Sequence, residues 1–265
     1  MSALIIDEGT NLDVLHPPGM GTGLVERDYD EFPEEMFAPP SDIQLIPESE
    51  WSDRIKEQEA RKSSLKHIWS RAKNGSHPPN LYQNGQGYCW SHSTTNAVML
   101  ARAVANMPYR ELSAYHVAYI CKGGRDQGGW CGESAKFIAE VGVCEQRLWP
   151  QQRMRNMDGA EVRQNAALHK ITEEWRDLTR AIHGQRMTFA QVATCLLLNQ
   201  PCALDFNWWG HSVCGVRLVE VERGSFGIEI LNSWGSSWGD NGYSVLRGNR
   251  AVPNGAIGIR AITAA

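Results

Sequence analysis

The 265-residue sequence has no run approaching the roughly 18 apolar residues that a membrane-spanning helix requires. Its opening, MSALIIDEGTNLD, lacks a basic start followed by a long apolar stretch, so no signal peptide is expected and the cytoplasm is the expected location. Excess positive charge is missing too. The formal net charge is −4, which gives no basic surface for nucleic acid. Internal repeats and low-complexity tracts are absent. Cysteine is too sparse for a disulfide scaffold, and its count of seven is odd (Cys89, Cys121, Cys131, Cys144, Cys195, Cys202, Cys214). Most of these are expected as small buried apolar side chains of a reduced chain. With 42% hydrophobic and 21% charged residues, the composition is that of an ordinary globular protein with one large or two small domains.

Charge is unevenly placed. Residues 1–50 hold twelve acids against a single base, Arg27, a segment charge of −11 that leaves +7 for residues 51–265. Prolines in HPPG, EFPEE, FAPPS and LIPES deny this segment a continuous helix or central strand, so an extended, solvated arm is expected. Residues 51–80 form a basic amphipathic helix and linker. Trp51, Ile55, Leu65, Ile68, Trp69 and Ala72 recur near helical spacing before NGSHPPN breaks the pattern.

From Cys89 to Met107 there is neither glycine nor proline, which suits a long buried helix. Further helices are predicted over LSAYHVAYICKGG, ESAKFIAEVGV (starting after Gly132) and residues 188–199, with Thr188 as N-cap of the last. Beyond Pro201 the texture changes to short apolar runs: CALDF, SVCGVRLVEVE, FGIEILNSW, YSVLR and AIGIRAI, each a predicted strand. Helices first and strands later predict an α+β chain. A helical lobe over 81–168 faces a β-rich lobe over 169–265, with a cleft between them.

Three local features carry chemistry. Gln83-Asn84-Gly85-Gln86-Gly87-Tyr88-Cys89 is a glycine-rich loop that delivers a cysteine to a helix start. There, unpaired backbone N–H groups and the helix dipole favour thiolate. His211 heads an apolar strand in WWGHSV, and Asn232 precedes a glycine-rich loop in LNSWGSSWGDNGY. Each alone is ordinary: a structural thiol, a core histidine, a turn asparagine. Cys89-x-x-His92 is also half of a zinc pattern, but Cys121 and Cys131 are poorly spaced to complete it, so no metal site is expected.

Taken together, Cys89, His211 and Asn232 with an N-S-W-G tract closely resemble the papain/cathepsin family of cysteine peptidases. In that family the partners lie roughly 130–150 residues after the cysteine; here they lie 122 and 143 residues after it. The resemblance continues through Leu112-Ser113 to Cys121, Gln127-Gly128-Gly129, Gly142, Glu145, Leu148-Trp149-Pro150 and Gln200-Pro201-Cys202-Ala203-Leu204, covering roughly residues 80–250. It implies a papain-like two-lobed fold, a helical lobe plus an antiparallel β-barrel-like lobe, preceded by the N-terminal arm. The implied activity is hydrolysis of peptide or protein substrates without cofactor or metal.

By the same resemblance, Cys89 is the nucleophile, His211 its base and Asn232 the residue that orients the imidazole. Gln83 stabilises the oxyanion, Trp234 covers the His–Asn hydrogen bond, and Gly128 with Gly129 receive the substrate backbone. There are departures. Gln86 and Asp126 stand where secreted members carry a disulfide, residues 151–186 match weakly, and nothing before Gln83 resembles the usual helical pro-segment. The arm has two readings: a cover for its own cleft, or a docking element for a protein partner. The alternative function is a papain-fold binding or assembly component of a larger particle. A transglutaminase-like acyl transferase fits less well, because it more often carries Asp as third member.

Overall fold

The computed structural model describes residues 4–26, 36–72, 82–172, 175–179 and 187–260. In chain order its elements are β1 (Ile5–Ile6), α1 (Leu12–Leu15), α2 (Glu48–Arg61), α3 (Leu65–Ala72), α4 (Cys89–Val104), α5 (Ala114–Cys121), α6 (Cys131–Glu140), α7 (Ala160–Ala166), β2 (Trp175–Asp177) and α8 (Thr188–Leu197). There follow β3 (Cys202–Phe206), β4 (His211–Glu222), β5 (Ser225–Leu231), β6 (Tyr243–Arg247) and β7 (Gly255–Ile259). The α+β expectation holds.

Helix α4 is the spine of the fold. Every residue from Cys89 to Ala103 is buried, as an uninterrupted run of good helix formers and small polar residues permits. Three of its small polar side chains are satisfied by carbonyls: Ser93 and Thr94 donate to that of Trp90, and Ser91 donates to that of Ala114. The helix packs on β3 and β4 of a single seven-stranded sheet of order β1-β6-β5-β4-β3-β7-β2. Helix α5 begins where Ser113 accepts from the His116 N–H, a side-chain N-cap. The predicted Thr188 cap falls one residue inside α8, whose N-cap is Met187. Each of the seven cysteines is free, and six are buried.

Two expectations are corrected. The region from Trp51 to Ala72 is two helices rather than one. Lys62 takes a left-handed conformation and closes α2, and α3 starts three residues later. Both helices are pinned to the sheet by buried charge. Glu229, 4% exposed, accepts from Lys66 Nζ of α3 at 2.6 Å and Arg217 Nε of β4 at 2.8 Å, and Arg217 also reaches Glu59 of α2. Trp51 anchors α2 between Phe189 and Phe226, with ring centroids 5.8 and 5.2 Å away. Truncating it to alanine should cost about 3–5 kcal/mol, read as a lower Tm; an unchanged melting curve would mean that α2 is not held by this contact.

The second correction concerns residues 1–50. Their described part is woven into the body instead of solvated. Ile5 and Ile6 pair in parallel with Val245 and Leu246 at the sheet edge, and Arg247 donates to Asp7. Ile6, Leu15 and Met36 are buried in the main core. Further on, Trp175 Nε1 donates to the Met36 carbonyl, and Pro40 bridges Asp177 of β2. Acidity points to solvation, but backbone hydrogen bonds and the buried Ile6, Leu15 and Met36 bind this segment to the body.

Candidate active site

Cys89 is the first residue of α4, and His211 is the first of β4, the strand against which α4 packs. Ser212, next to His211, and the Trp90 backbone both act to hold the Cys89 thiol down. The two lobes therefore meet at the thiol. His211 Nε2 lies 2.7 Å from Asn232 Oδ1, which also accepts from the Ser233 N–H. Because an amide oxygen only accepts, Nε2 carries the imidazole proton and Nδ1 keeps its lone pair. That Nδ1 has no hydrogen-bond partner among the described residues.

Aromatic rings roof the pair. The Trp234 ring lies 4.5 Å from that of His211, and Trp209 packs on both, at 4.9 and 5.6 Å. Water is thereby kept from competing for the His211–Asn232 bond.

Gln83 is buried, and Tyr115 and Ser233 hold its two ends. Tyr115 donates to its backbone carbonyl and Ser233 to its Oε1, so the side-chain amide is fixed with Nε2 outward. Gln86 and Asp126, where the resembling family has a disulfide, make hydrogen bonds instead. The Gln86 side-chain amide lies 2.8 Å from the Tyr115 hydroxyl, and the Gly87 N–H donates to Asp126 Oδ1 at 2.8 Å.

His92, the second residue of the half zinc pattern, points its Nδ1 at the Tyr88 carbonyl and lies against Tyr115. No group of three or more metal-binding side chains occurs among the described residues. Nor is any helix among them long and apolar enough to cross a membrane.

The cleft is filled by the chain's own residues Met20–Val25. The Gly21 carbonyl accepts from Gln83 Nε2 at 2.8 Å and from Trp234 Nε1 at 3.0 Å. The Gly23 and Leu24 N–H groups donate to the Gly210 carbonyl. Gly129 donates to Gly23 and accepts from Val25, a parallel bridge centred on Leu24, while Gly128 lies against Gly23 and Val25. His16 lies on Trp234, ring centroids 4.8 Å apart, and Trp238 Nε1 donates to the Leu15 carbonyl.

The glycines are obligatory here. A Cβ on Gly21 would stand 2.2 Å from the Gln86 carbonyl oxygen, and one on Gly23 2.2 Å from that of Gly87. The pair Gly21 and Gly23, spaced two apart, is the sequence signal for this close approach, and the acidity around it obscures that signal.

Occlusion sets the charges. Cys89, His211, Asn232 and Gln83 are all fully buried. Burial pushes the Cys89 thiol up to about 12, against the influence of Ser212. It pushes His211 down to about 3, opposed by the bond to Asn232 and assisted by His16 and His92. The resting pair is a neutral thiol and a neutral imidazole.

No protein-family model matches the chain. Among curated proteins it is similar to cysteine protease XCP2 of Arabidopsis thaliana, 25% identical over 202 residues, covering 67% of this chain and 53% of the relative. It is also similar to cathepsin L 2 of Paramecium tetraurelia, 26% identical over 192 residues, covering 68% and 59%. The chain thus spans little more than half the length of these relatives. Among solved structures it is similar to xylellain, a cysteine protease from Xylella fastidiosa. There the TM-score is 0.63 at 16% identity, covering 93% of this chain and 97% of that one. The resemblance and the fold class read from the sequence hold: the curated relatives are papain-family cysteine proteases and the structural neighbours are papain-like.

Proposed function

We propose that this chain, with the fold and relatives of papain-like cysteine proteases, is itself a cysteine peptidase held shut by its own residues Met20–Val25. One observation carries both halves. A peptide carbonyl, that of Gly21, sits on the Gln83 side-chain amide, the group assigned to receive the substrate's oxyanion. The site receives a peptide backbone, and the one it holds is its own.

With the cleft open, His211 Nδ1 takes the proton of the Cys89 thiol, and the thiolate attacks the scissile carbonyl carbon. The oxyanion is met by Gln83 Nε2 and the Cys89 backbone N–H. Collapse breaks the C–N bond, the imidazolium gives its proton to the departing amine, and a thioester remains. Water, deprotonated by His211, attacks the thioester; the acid product leaves and the thiol is restored. Gly128 and Gly129 pair with the substrate backbone where they now pair with Gly23 and Val25.

Asn232 only orients. Asn232→Ala should therefore lower peptide kcat by roughly a hundredfold less than loss of the nucleophile does, as orienting and nucleophilic members of other triads differ. Equal losses would mean that Asn232 does more than hold the ring.

The docking alternative for residues 1–50 is less favoured, because their described part is already engaged with the chain's own cleft, sheet edge and core.

A further inference from the structure

The far end of α4 carries a buried cation that the protein does not pair. Arg102 stands in the last turn of that helix, about 20 Å along its axis from Cys89 and away from the cleft. It is 5% exposed, and its Nε and Nη1 have no hydrogen-bond partner. An arginine keeps its proton in a protein, so the charge stays.

The helix end does not serve it. The carbonyls of Ala101, Arg102 and Ala103 already accept from the N–H groups of Ala105, Met107 and Asn106. Nor does Glu145, the acid whose charge reaches Arg102. That carboxylate accepts from Asn165 at 2.8 Å and Arg147 at 3.2 Å, and lies 3.9 Å from Arg110. A buried charge without a partner is strongly destabilising.

Arg102 lines a narrow cleft with Met99, Pro108, Tyr109 and Arg110. Across a shared wall of Ala72, Ala103 and Met107, this cleft adjoins a crevice of about 400 Å³ that Arg71 of α3 also lines. No acid lines either space among the described residues. Burial first, and Arg110 after it, work against the charge on Arg102. An anion set between the guanidiniums would turn that repulsion into attraction.

We infer that this space is a binding site for a small phosphate-class oxyanion, held by Arg102 and Arg110 beside the crevice that Arg71 lines. A guanidinium presents paired N–H groups that match two oxygens of one anion, which favours phosphate over chloride. The apolar Ile68, Ala72, Val104 and Met107 give the crevice the low-dielectric surroundings that strengthen such contacts.

The full chain is titrated with sodium phosphate in a calorimeter and its Tm followed, against sodium chloride at matched ionic strength. Wild type should give a saturable isotherm, and at ten times its Kd phosphate should raise Tm by roughly 3–6 °C above the chloride control. A parallel titration with phenyl phosphate separates a free anion from a phosphomonoester, the tighter binder naming the source. Arg102→Met keeps the side-chain length without the charge. It should weaken binding at least about tenfold, and its Tm in chloride should equal or exceed that of wild type.

A merely structural arginine predicts the opposite, a lower Tm in chloride with the phosphate response intact, and that result would overturn the inference. Arg110→Met, whose side chain is half exposed, should weaken binding several-fold and carries the test if Arg102→Met does not fold. Arg163→Met removes a surface charge already paired with Asp158 and should bind as wild type does. A wild-type response to phosphate no different from that to chloride would end the proposal, whatever the variants do. The peptidase reading stands or falls separately, because neither Cys89 nor turnover is measured.

Discussion

Replacing Cys89 with alanine should abolish peptide hydrolysis, lowering kcat by about 10⁶, the scale seen when a nucleophile of comparable machinery is removed. The fold should survive. Cys89 is buried and small, and its loss removes one sulfur at a helix terminus whose other residues keep their contacts. Comparison of far-ultraviolet circular dichroism and Tm with wild type checks the fold, while a peptide substrate checks the turnover. Activity retained by Cys89→Ala would end the nucleophile assignment outright, because Cys89 is the cysteine at the first position of α4, the helix that packs on β4.

Gly23→Ala should do the reverse. A Cβ there meets the carbonyl oxygen, carbonyl carbon and Cα of Gly87 at 2.2–2.5 Å, all backbone atoms that cannot swing aside. Overpacking of that kind costs about 2–3 kcal/mol. The whole penalty falls on the closed state, so kcat/KM for a peptide should rise roughly 30–100-fold. Gly21→Ala should behave alike. Gly159→Ala is the control, since a Cβ there meets nothing within 4 Å, and it should leave the rate unchanged. Wild-type turnover in both cleft variants would show that the segment is not what limits access. Deleting residues 1–64 is a poorer test, because it also removes β1, Ile6, Leu15, Met36 and Trp51 from the core.

The site was legible because its chemistry is unusual in residue type. A cysteine at a helix start, a histidine heading a strand and an asparagine before N-S-W-G rarely occur together by chance. The five strands after Pro201 and the helices from Cys89 to Glu140 were legible because their apolar runs are long or strictly bounded. β1 and β2, of two and three residues, carry no period to detect.

The path of residues 4–26 was not legible for a different reason. Its binding is mostly backbone to backbone, through Gly21, Gly23, Leu24 and Val25, and such hydrogen bonds leave little trace in side-chain identity.

The closing segment is fastened at both ends. β1 and Leu15 hold the chain before it, and Met36, Pro40 and Trp51 hold the chain after it. On the proposed reading it behaves as a tethered ligand whose effective concentration at the cleft stays high. A free peptide must outcompete that local supply, so apparent KM rises although the intrinsic affinity of the cleft is unchanged. If the anchors on either side hold while the middle lifts, opening is a reversible excursion. The same molecule can return to silence once its substrate is gone.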